Sequence, residues 1–122
     1  MAGVKVFEDL IAWQKARVLT KNIYEVTQKE RFERDFGLAS QIQRASVSIM
    51  ANIAEGFARK NPNAFYHFTS IAKSSASEVR SHLYVGLDIQ YITEAEFQQL
   101  IEQTKEVERL VGGLLASGIP KG

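Results

Sequence analysis

Glu78 and His82 lie four residues apart, one turn on a helix, and His67 and His82 are the only histidines among 122 residues that include no cysteine. A carboxylate–imidazole pair at that spacing supplies half a metal site. Di-iron bundles take Glu-x-x-His from each of two helices plus two further glutamates, and this chain has no copy of that motif. The pair therefore reads as a polar contact within a bundle or between subunits, and no metal or other cofactor is expected. Ser74, Ser75 and Ser77 occupy no nucleophile elbow. Gly112-Gly113 lacks the preceding strand and following lysine–serine of a phosphate loop; it marks fraying or a tight contact late in the last helix. The absence of cysteine removes thiol nucleophiles, disulfides and zinc thiolates together. No catalytic residue is expected, and the protein is not read as an enzyme.

Binding chemistry is better represented. Residues 36–87 hold five basic side chains, Arg44, Arg59, Lys60, Lys73 and Arg80, against two acidic ones, Glu55 and Glu78, a local charge of +3. Residues 91–122 hold three basic side chains against five acidic, a local −2. Lys15, Arg17 and Lys21 form a secondary basic patch on the first helix. Clustered cations of this kind contact phosphate, with affinity that falls as salt rises. The competing reading is a solvated basic face, since the whole chain carries only +1 and projects no strong field. Aromatic residues do not interleave with the cations for base stacking; Tyr66 and Phe57 are the nearest. Trp13, Phe57, Tyr66 and Tyr84 could instead anchor a protein partner.

Hydrophobic periodicity supplies the elements that would hold these residues. Apolar spacing and end signals predict helices over about 7–28, 37–59, 62–90 and 94–116, with no strand. Asn61-Pro62 pairs an N-cap with proline at the first helical position. Thr93 and Glu96 form a capping box. The charged run 29–35 reads as a connection, with Phe32 and Phe36 under the bundle end. Short connections make neighbours antiparallel, so the expected fold is all-α, an up-down-up-down four-helix bundle in one domain.

Residues 37–59 are the most patterned. Leu38, Ile42, Ala45, Ile49, Ile53 and Gly56 form one seam, and Ala39, Ser46, Met50 and Phe57 a second. Between them runs a polar row of Gln41, Ser48, Asn52, Glu55 and Arg59, joined across the bundle or between subunits by Glu78. Two apolar lines exceed the single stripe of a surface helix, which predicts contact nearly all round and a homo-oligomer. The small residues Ser74, Ser75, Ala76 and Ser77, set against Ala45, Ser46, Ser48 and Ala51, predict close approach of the second and third long helices. No run reaches the ~18 apolar residues of a membrane span, so no membrane partner is expected and the setting reads as cytoplasmic.

The wording of this segment resembles a family. Gln41-Ile42-Gln43-Arg44-Ala45, Ser48-Ile49 and Asn52-Ile53-Ala54-Glu55-Gly56 are similar to the signature of bacterial four-helix-bundle proteins encoded in intervening sequences of 23S ribosomal RNA genes. The accessory variability determinant of diversity-generating retroelements belongs to the same family. Phe7-Glu8-Asp9-Leu10, Trp13-Gln14-Lys15-Ala16, Phe68, Ile71-Ala72, Ser75, Glu78 and Tyr91-Ile92 extend the likeness over roughly residues 6–115. Met50 departs from a common proline, and Lys73-Ser74 from a common Arg-Gly. The resemblance implies a five-fold, barrel-like homopentamer, RNA or RNA/DNA as ligand, and a reverse transcriptase as partner for the retroelement branch.

Overall fold

Side-chain caps and buried aromatics set where each helix begins and ends. The computed structural model describes residues 3–120. Phe7–Asp9 form a single 3-10 turn, and α1 runs Ile11–Thr27. The first helix thus starts later than its periodicity suggests, because Leu10 adopts extended geometry and is buried at the bundle end. Glu8 and Asp9 accordingly precede the helix. The 29–35 run, expected as a connection, contains a short helix α2, Glu30–Arg34. Its one turn sends Phe32 inward to full burial, whereas Phe36 is 79% exposed, against expectation.

Asp35 joins two elements at this end. One carboxylate oxygen caps α3 (Phe36–Ala58) by accepting the Leu38 N–H at 3.1 Å, and the other accepts the Tyr91 hydroxyl at 3.0 Å. That hydrogen bond, reinforced by burial and by the carboxylate's charge, raises the Tyr91 hydroxyl above its ordinary pKa of 10.0, with Arg31 opposing. The folded state holds this proton more tightly, so the contribution is present below the ordinary tyrosine value and is lost as pH rises past the raised one.

The later boundaries follow the sequence signals. Lys60 turns left-handed at φ 52°, and Asn61 caps α4 (Pro62–Asp88) by accepting the Ala64 N–H at 3.0 Å. Thr93 and Glu96 exchange bonds of 3.1 and 2.9 Å to open α5 (Glu94–Ser117). Glu96 also pairs with Lys29.

Each long helix touches two others: α3 lies against α1 and α4, and α5 against α4 and α1. Side-chain contacts join every such pair. Thr20 reaches Ser46, while Gln43 reaches Thr27; Ser48 meets Ser75; Ser77 meets Glu108, with Tyr84 against Phe97; Asn22 meets Gln103. In α3 the seam Ile42, Ala45, Ile49, Ile53 and Gly56 is buried, and so are Ala39, Ser46 and Phe57 of the second line. A helix with two neighbours in its own chain covers two apolar lines without a second copy. The remaining flank of α3 is open: Gln41, Arg44, Val47, Ala51, Glu55 and Ala58 are exposed. Contact nearly all round is therefore not what one chain provides.

The close approach of α3 and α4 is present and has a specific cause. A Cβ at Gly56 would stand 3.2 Å from the Phe68 Cβ and 3.3 Å from the Phe65 carbonyl oxygen. Ser48 and Ser75 hydroxyls meet at 2.8 Å across the same interface. Ser46 instead faces α1, where its carbonyl accepts the Thr20 hydroxyl. Gly112 and Gly113 are different: an added Cβ meets nothing within 4 Å, so neither marks a tight contact, and α5 continues through both.

These geometries give opposite outcomes for one substitution. Gly56→Ala should lower the melting temperature, because its neighbours are the Phe65 backbone and the Phe68 Cβ, which cannot swing aside. Overpacking toward the upper part of about 1–3 kcal/mol outweighs the roughly 1 kcal/mol helix gain. Gly112→Ala should raise stability by about 0.4–1 kcal/mol. Thermal melts of both variants check the pair; a stabilised Gly56→Ala would refute the tight interface. Thr69 is fully buried, and its hydroxyl has no hydrogen-bond partner among the described residues. Thr69→Val removes that desolvated group, worth roughly 1–3 kcal/mol, and should raise the denaturation midpoint at constant slope.

Candidate nucleic-acid interface

The polar row on α3 divides into an inner and an outer part. Ser48 and Asn52 are half-buried and linked, the Asn52 amide donating to the Ser48 carbonyl at 2.8 Å and to its hydroxyl at 3.0 Å. With Ser75 they form a polar bridge between α3 and α4. Gln41 and Glu55 are exposed. Glu55 receives a 2.5 Å hydrogen bond from Arg59 one turn later. Both partners are about half-exposed, so this is a solvated pair worth roughly 0.3–0.5 kcal/mol. Glu78, also exposed, holds His82 at 3.3 Å along α4 rather than reaching the α3 row. Among the described residues no three ligating side chains converge on a metal-sized site.

The expected basic residues do not form one surface. Arg44 projects from the middle of the open α3 flank. Arg59 and Lys60 lie at the α3–α4 turn, where Arg59 also stacks over Phe68 at 5.0 Å. Lys60 borders a cavity of about 430 Å³ with Val4, Lys5, Phe57, Ile119 and Pro120. On α1, Lys15 reaches Glu106 at 3.9 Å, and Arg17 lies over Trp13 at 5.8 Å. Lys21 is exposed beside them. Phe57 is buried and cannot anchor a partner, whereas Tyr66 and Tyr84 remain exposed.

Lys73 and Arg80 face α5, and there the fold gathers charge that the segment totals do not reveal. They share an open groove with Lys105, Arg109, Glu108 and Gly112. Residues 91–122 carry a local excess of acid, which hides Lys105 and Arg109. Their four-residue spacing, one turn on a single helix face, was the available signal. The local +3 and −2 of the two segments therefore do not map onto separate surfaces, because cations of both meet across α4 and α5.

Residues 8–113 match the family described as 23S rRNA-intervening sequence protein. A protein of unknown function from the S23 ribosomal protein family of Bacteroides thetaiotaomicron is similar in structure, with TM-score 0.79 and 23% identity. The likeness covers 86% of this chain and 98% of the other, and at that identity it establishes the fold. No curated protein matches. Among the described residues no helix is long and apolar enough to cross a membrane.

Proposed function

The chain belongs to the family of 23S rRNA-intervening sequence proteins, and from that premise we propose a non-enzymatic, homo-oligomeric protein that binds structured RNA through basic helix faces. Its unit is an up-down-up-down four-helix bundle working in the cytoplasm. The observation that carries the reading is the surplus of unpaired cations. Lys21, Lys60 and Lys73 are exposed, and none has a carboxylate within 4 Å among the described residues. Contacts of this kind position a phosphate backbone and carry little base specificity.

Assembly rests on separate support. The open α3 flank carries Val47, Ala51 and Ala58 among its polar residues, a surface of low desolvation cost for a neighbouring copy. A ring repeats one heterologous contact until it closes, and five copies is the number implied by the family resemblance. The exposed Tyr66 and Tyr84 favour a second reading, a protein-binding adaptor such as an accessory to a reverse transcriptase.

Two measurements test these statements. Light scattering should give a mass about five times 13.7 kDa; a monomer would overturn the assembly. A labelled 23S rRNA stem-loop should bind at 50 mM salt and weaken roughly 10- to 100-fold by 200 mM, as two to four phosphate contacts require. No retention at 50 mM would overturn RNA binding and leave the adaptor.

A further inference from the structure

We propose that the groove between α4 and α5 is the phosphate-backbone site of this protein, with Lys73, Arg80, Lys105 and Arg109 as its contacts and Glu108 as an internal counter-charge. The proposal rests on the RNA-binding reading and places it at an address of which the linear charge pattern indicates only the α4 wall, Lys73 and Arg80.

Two cations stand on each wall. Lys73 and Arg80 are two turns apart on α4, about 10 Å at 1.5 Å per residue. Lys105 and Arg109 are one turn apart on α5. Glu108 is the sole acid among the groove-lining residues, which leaves a local charge of +3. Like charges held together across two packed helices repel one another, and Glu108 offsets part of that. Its side chain is only 15% exposed, lies 3.4 Å from the Arg80 guanidinium, and accepts the Ser77 hydroxyl at 3.1 Å. The oxygen nearest Arg80 is buried and receives no hydrogen bond. One carboxylate, incompletely bonded, cannot satisfy four cations. A phosphate diester supplies the missing negative charge without displacing Glu108.

The form of the groove agrees. It is open, about 450 Å³ in volume, and its lining residues are charged apart from Gly112. That suits an extended polyanion better than an enclosed small molecule. Gly112 bounds it although packing does not require glycine there. Glycine in a helix interior is less stable than alanine, and here its effect is to leave the α5 backbone bare where a ligand strand would approach. No aromatic side chain lines the groove, so the contact is to phosphate and is indifferent to base identity.

Fluorescence anisotropy with a fluorescein-labelled RNA hairpin of mixed sequence, on the full-length assembled protein, tests this directly. Lys105→Ala combined with Arg109→Ala should weaken binding at least tenfold at 100 mM salt. The slope of log affinity against log salt should flatten by about 2, roughly one per cation removed. Glu108→Gln should tighten binding several-fold. Lys73→Ala, exposed and unpaired, carries the same test with a flattening of about 1 should the double variant melt early. Unchanged affinity and slope in folded variants would overturn the groove while leaving RNA binding intact. Wild-type protein that fails to bind the hairpin at 50 mM salt would overturn both.

Discussion

A side chain at Gly56 would crowd Phe65 and Phe68 of α4, and its absence lets the two helices pack closely. The missing side chain sets how near α3 and α4 can come, and the polar bridge beside it depends on that distance. With the helices this close, Ser48 and Ser75 share a hydrogen bond, Asn52 completes the bridge, and small side chains suffice to fill the interface. Larger residues would push α4 outward and tilt the flank it presents to α5. The Asn-Ile-Ala-Glu-Gly segment thus has a mechanical reading: Ile53 supplies the buried seam, Gly56 sets the distance, and Asn52 satisfies polar groups beside it.

The position of α4 then decides where charge collects. Ser75 and Ala76 point inward, so Lys73, Ser77 and Arg80 turn toward α5. There they meet Lys105 and Arg109 from a segment whose overall balance is acidic. Three of that segment's five acids are used elsewhere: Glu96 on Lys29, Glu106 on Lys15, and Glu94 near its own helix start. A chain with net charge of only +1 can in this way carry a concentrated basic groove. Net charge describes the far field; binding responds to what lies within about 10 Å at 0.1 M salt.

The sequence was most legible where the signal is local. Asn61-Pro62 and the Thr93–Glu96 box mark helix starts because the capping atoms lie within three residues of the groups they satisfy. The seam from Ile42 to Gly56 was readable because period and burial coincide. Less was visible around 29–36, where Phe32 and Phe36 look equivalent in a charged run; only the short turn of α2 decides that the first is buried and the second exposed. The second apolar line of α3 was correctly identified, but its cause was not. It faces the helices of its own chain, and an exposed third flank remains.

What the sequence alone determined is the four long helices, the caps of the last two and the small residues that permit close packing, since each is written in side chains a few positions apart. What the tertiary structure decided is which surfaces meet: that Gly56 abuts α4 while Gly112 abuts nothing, that Arg59 is engaged with Glu55 and Phe68, and that cations from opposite-signed segments share one groove. The physical reason is range. Caps and periodicity act within a turn or two of one helix, whereas packing distance and local field depend on residues tens of positions apart, brought together only when the helices dock.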